Sequence, residues 1–143
     1  MYTPLVKNLT LLLLAAILIT ACKKNKEEDV PVNETTIAGT YTLASYTETS
    51  LLGEKDKVSE MEACKRDDLY VLNPDKSFEY KDVGAMCASA GLHAPVWVLA
   101  GEYLTVDGIT GKIEKLTNQQ LIVTFDVPVL GTLYTSRVVF NRK

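Results

Sequence analysis

Leu69-Tyr70-Val71-Leu72-Asn73-Pro74-Asp75-Lys76-Ser77-Phe78-Glu79-Tyr80-Lys81 decides the fold of this 143-residue chain. Two short runs rich in apolar and aromatic residues flank a centre of turn formers. Pro74 presets one turn dihedral, and Asn73 and Asp75 can bond their own backbone. The segment reads as a β-hairpin. The same pattern continues outward, with strand-like runs at residues 41–46, 96–99, 103–106, 112–116, 121–125 and 132–140. Gly101, Asp107-Gly108, Asn118-Gln119 and residues 128–131 separate the later ones. No segment of this body keeps a 3.6-residue period for three turns, so the expectation is all-β. Short, evenly spaced turns favour pairing in sequence order. Closing such a meander into a small antiparallel up-and-down eight-stranded barrel removes its exposed edges. Two connections are long: residues 49–65, where a short helix or turn is expected after the first strand, and residues 82–95.

Alternation along the strands assigns an inward face to Tyr70, Leu72, Phe78, Tyr80, Trp97, Leu99, Leu121, Val123, Phe125, Tyr134, Val138 and Phe140. Of these, Tyr70, Phe78, Tyr80, Trp97, Leu99, Val123, Phe125 and Tyr134 are the candidate ligand-binding residues. An eight-stranded barrel is just wide enough to be filled by its own side chains or to hold one small ligand. The shortness of the strands favours a filled or nearly filled interior, with any pocket near the open end.

The N-terminus supplies an address. Lys7 precedes an apolar stretch over residues 9–21, the length of a signal-peptide core and short of the roughly 20 residues of a membrane span. Leu18-Ile19-Thr20-Ala21-Cys22 closes it and reads as a lipobox, with small residues beside the cut and Cys22 as the lipidated residue. Residues 1–21 are thus expected to be a lipoprotein signal peptide, residues 22–36 a lipidated flexible tether, and residues 37–143 a single barrel domain. Two or three acyl chains give stable anchoring where one does not. The expected location is the outer membrane, on the cell surface or the periplasmic face. Lys26-Glu27-Glu28-Asp29 resembles a surface-export signal of bacterial lipoproteins.

The formal net charge of −3 provides no basic footprint for nucleic acid. With Cys22 taken by lipid, Cys64 and Cys87 remain in an oxidising compartment, and a Cys64–Cys87 disulfide is expected. A metal or redox role finds little support, because no CxxC spacing occurs and His93 is the one histidine. Asn73, Asp75, Ser77 and Glu79 alternate like the start of a calcium loop, but Phe78 and Gly84 stand where that loop needs Gly and Glu. Adjacent Asp67 and Asp68 point to opposite faces of a strand and read as a solvated strand start rather than an acid–base pair. His93 has no nucleophile in a glycine-rich elbow beside it. No catalytic residue, metal or cofactor is assigned, and an enzyme is not expected.

At this point the residues resemble a known family. Gly39-Thr40-Tyr41 stands where lipocalin-like domains open their first strand with Gly-x-Trp, Tyr41 replacing the tryptophan. Cys64 through Tyr70, then Asn73 through Phe78 and Cys87, resemble that family's cysteine-to-hairpin segment. Trp97-Val98-Leu99 and the ending Val139-Phe140-Asn141-Arg142-Lys143 are similar to it too. The resemblance implies a small eight-stranded barrel on a lipoprotein. The leading expectation for function is a monomeric, lipid-anchored envelope protein that binds a small apolar or amphipathic ligand. The alternative is a solid barrel, without a ligand, that docks an envelope protein partner through a patch containing Val96, Val98, Ile122 and Val129.

Overall fold

The computed structural model describes residues 27–87 and 93–143. The expectations for the signal peptide, Cys22 and the first part of the tether lie outside those residues, as do residues 88–92 of the second long connection.

The described chain is an antiparallel β-barrel with little helix. After α1 (Glu34–Ile37) come β1 (Gly39–Ser50), β2 (Gly53–Asp56), β3 (Leu69–Leu72), β4 (Phe78–Lys81), β5 (Trp97–Ala100), β6 (Tyr103–Val106), β7 (Ile109–Leu116), β8 (Gln120–Val129) and β9 (Thr132–Arg142). Eight of these run in the order β4-β3-β1-β9-β8-β7-β6-β5, and β2 pairs with the far half of β1. The two ends of this order meet at a single antiparallel bridge between Ser77 and Val96. There the Phe78 amide donates to the Pro95 carbonyl at 2.8 Å, and the Trp97 amide to the Lys76 carbonyl at 2.9 Å. Register shifts at Leu43/Ser45 in β1 and Ile113/Lys115 in β7 mark bulges, which bend strands and sharpen their twist.

The β3–β4 hairpin forms as expected, with Asp75 accepting from the Ser77 amide at 2.9 Å in the turn. The connection after β1 differs from the expectation in one respect. It contains the two single helical turns Val58–Glu60 and Ala63–Lys65, but β2 precedes them. All four residues of β2 are exposed, so it is defined by backbone pairing with β1 rather than by an apolar face.

One end of the barrel is closed by the chain's own N-terminal segment. Residues assigned to a flexible tether are instead ordered from Asp29 onward. Asp29 bridges to Thr117, the Val30 amide donates to the Leu116 carbonyl at 2.8 Å, and Val30 and Val32 pack on the core. Asn33 caps α1, accepting from the Thr35 and Thr36 amides at 3.0 Å, and the Thr36 hydroxyl accepts in return from the Asn33 amide. This reciprocal capping fixes so short a helix. Its last residue, Ile37, is 0% exposed and lies with Tyr41, Leu72, Trp97, Leu116 and Leu121 in the core.

Tyr41 plugs this closed end, 1% exposed. Its hydroxyl donates to the Ile37 carbonyl at 2.6 Å, and the Arg142 guanidinium lies 5.7 Å from the ring centre. Arg142 also donates to the Thr36 carbonyl at 2.9 Å, tying the last strand to α1. Gly39 makes room for this side chain, since a Cβ there would stand 2.9 Å from Arg142 Nε.

Candidate functional site

Above that plug the barrel is hollow. A cavity of about 420 Å³ opens at the end opposite α1, so the filled interior expected from strand length is not what forms. The reason is strand stagger. Trp97, Tyr41 and Leu116 fill the closed end, whereas the far parts of long β1, β8 and β9 carry the wall beyond them. Gly111 contributes directly, because a Cβ at that position would lie 2.4 Å from a Val123 methyl and 2.9 Å from the Thr124 carbonyl.

Toward the closed end the cavity is lined by Tyr41, Leu72, Phe78 and Leu121. Tyr70 and Tyr80 from the hairpin, Val123 and Phe125 from β8, and Val138 and Phe140 from β9 form the sides. One wall is a ladder of rings. Tyr41 and Phe140 have centroids 6.4 Å apart, Phe140 and Tyr70 5.1 Å, Tyr70 and Tyr80 5.3 Å, and Tyr80 and His93 4.4 Å. Such contacts add to the burial of large apolar surfaces.

Of the eight candidate ligand-binding residues, Tyr70, Phe78, Tyr80, Val123 and Phe125 line this cavity. Trp97, Leu99 and Tyr134 do not. Trp97 is 1% exposed at the seam, donating from Nε1 to the Asn73 carbonyl at 2.9 Å with the Lys76 ammonium 4.4 Å from its ring. Leu99 packs against the core away from the cavity. Tyr134 lies beyond the mouth, beside a separate surface depression formed with Glu48, Ser50 and Leu52. Alternation places five of the eight at the cavity, and stagger sets how far along the axis each residue falls.

The mouth is polar, and its carboxylates were missed. Asp68, read as part of a solvated strand start, is 1% exposed. It accepts from the Tyr80 hydroxyl and, at 3.1 Å, from the Val83 amide. Asp82 accepts from the Cys87 amide at 3.0 Å through Oδ2. Asp107, in the β6–β7 turn, accepts from the Ala94 amide at 2.6 Å, and its other oxygen lies 2.8 Å from His93 Nδ1. A signal existed for two of them: Asp68 continues the alternation of Tyr70 and Leu72, and Asp82 that of Phe78 and Tyr80.

These neighbours shift the titrating groups. Burial and then the hydrogen bond to Asp68 hold the Tyr80 phenol well above its ordinary range. Burial followed by the Asp68 charge raises Tyr70. The Ala94 amide and then His93 lower Asp107.

Cys64 and Cys87 form the expected disulfide, with Cα atoms 5.4 Å apart, and pin the turn at Ala63–Lys65 to the connection after β4. Among the described residues, the grouping with metal-ligand spacing is Glu62, Cys64 and Cys87, and both its sulfurs are spent in that bond. The described lining includes His93 but no serine, threonine or free thiol. The arrangement is one of enclosure: an apolar chamber with a hydrogen-bonded acidic rim.

No protein-family model, curated protein or solved structure matches this chain.

Proposed function

We propose that this protein is a lipid-anchored, lipocalin-like carrier of the cell envelope, held at the outer membrane through Cys22, that takes a small apolar or amphipathic molecule into its barrel. The observation that carries the reading is the 420 Å³ cavity, closed at one end and lined by aliphatic and aromatic side chains. Its volume falls within the roughly 300–1,000 Å³ of small-molecule sites, and mostly apolar walls with a few placed polar groups are what such sites use.

The docking alternative loses its proposed patch. Ile122 is buried, and Val129 at the β8–β9 tip is separated by β6 and β7 from Val96 and Val98. Exposed Leu51, Leu52, Ile109, Leu130 and Leu133 lie instead at or near the β1–β2, β6–β7 and β8–β9 turns, toward the mouth end.

Native mass spectrometry of the protein purified from cell envelopes tests the proposal. An adduct of a few hundred daltons that disappears on denaturation is the expected result. A clean apo mass that persists after incubation with envelope lipids would refute it. The anchor is tested separately: Cys22→Ala should abolish precursor processing and membrane association.

A further inference from the structure

On the reading just proposed, we infer that the molecule carried in the barrel has an amine or other cationic head on an apolar body, with the head seated among Asp68, Asp82 and Asp107 at the mouth. The cavity is chemically two-ended. Its depth is aliphatic and aromatic, while three carboxylates line the rim.

The groups that could favour an anionic head are already engaged. Lys65, the ammonium in the lining, lies 2.8 Å from Glu62, and His93 faces Asp107. The carboxylates differ in how well they are served. Asp68 and Asp107 each have both oxygens in hydrogen bonds. Asp82 Oδ1 is shut off from solvent and has no partner among the described residues. A buried anionic oxygen without a donor is costly, and a cationic head seated beside the Asp82 carboxylate would offset that charge without having to reach the shielded oxygen.

A carboxylate head brings like charge to this rim and no donor. An ammonium brings both opposite charge and donors, and the neighbouring rings of Tyr70 and Tyr80 add faces that attract cations. The size fits the same picture. At about 30 Å³ per water-sized group, the cavity takes about 14 such groups, a chain of roughly a dozen carbons with a small head.

Three amphiphiles sharing a twelve-carbon chain separate the possibilities: dodecylamine, dodecanol and dodecanoate, titrated calorimetrically into the purified protein below their micelle concentrations or, for dodecanol, its solubility limit. Dodecylamine should bind at least tenfold tighter than dodecanoate. Asp82→Asn and Asp107→Asn should each weaken it roughly tenfold, in line with the loss of one opposite charge beside the head, and leave dodecanol unchanged. Glu102→Gln removes the same charge at an exposed turn on the closed end and should change nothing.

Dodecanoate binding as tightly as the amine would overturn the head assignment while leaving the carrier reading intact. An equal loss in Asp82→Asn and Glu102→Gln would also overturn it, tracing the preference to overall charge. If none of the three binds, both readings fail.

Discussion

Removing the Cys64–Cys87 bridge should cost this barrel a fifth or more of a typical domain's stability without dissolving its sheet. The two cysteines lie 23 positions apart, so the covalent ring contains β3, the turn and β4. Closing a loop of that length lowers denatured-state entropy enough to contribute about 3 kcal/mol. A domain of this size loses roughly 4 °C in melting temperature per kcal/mol, which places the expected drop near 12 °C. The measurement is thermal unfolding by circular dichroism of a Cys64→Ala, Cys87→Ala double variant beside the parent, without reductant. The double variant avoids leaving one reactive thiol. The β-sheet signature should persist below the transition, because β3 and β4 remain held by their pairing with β1 and with each other. A drop under about 1 kcal/mol would refute the loop-closure reasoning, and two reactive thiols in the untreated parent would refute the bond itself.

Trp97→Ala should cost about 3–5 kcal/mol in urea unfolding, since it empties a buried site and removes the Nε1 bond to Asn73. Ser136→Ala should raise stability by up to about 1 kcal/mol, because Ser136 Oγ is buried without a partner among the described residues; a loss of similar size would show that it has one. The Tyr41, Tyr70 and Tyr80 phenols are raised above their ordinary 10.0, so their contribution is complete below pH 10 and disappears as pH climbs through the higher folded values. The share of phenolate absorbance that these three contribute should therefore rise late and together with unfolding. Asp107 is lowered from 3.8, so its contribution is present above that pH and is lost as pH falls through the lower folded value. The Ala94 amide resonance should report that loss, and His93→Ala should move its midpoint upward.

The parts of this fold that were legible in sequence are those in which side-chain pattern and backbone agree. The β3–β4 hairpin announces itself through Pro74 between two apolar runs, and the disulfide follows from compartment and count. β2 was not legible, because Gly-Glu-Lys-Asp has no apolar face and its order comes from backbone pairing with β1. The order of residues 29–36 was missed for a related reason. α1 is too short to show a period, and Val30 and Val32 acquire meaning only once there is a barrel base to pack on. The cavity was the least legible feature. Its inward residues were largely named, but its emptiness depends on stagger, which sent Trp97 into the floor and Tyr134 past the rim. Asp68 and Asp82 were within reach of the same alternation that found Tyr70 and Tyr80. Asp68 was taken for surface because a buried carboxylate is usually too costly without partners, and its backbone partner Val83 comes from the connection after β4, distant in sequence.

The N-terminal segment enters the structure at the pole opposite the opening, and this gives the molecule a heading. Between Cys22 and the bridge at Asp29 there are too few residues to span more than about 25 Å even when fully extended. An anchor at Cys22 would therefore moor the barrel by its sealed end and aim its entrance away from the bilayer that holds it. Cargo would be exchanged with whatever approaches from the far side, a geometry suited to handing a molecule across a gap rather than lifting it out of the membrane underfoot.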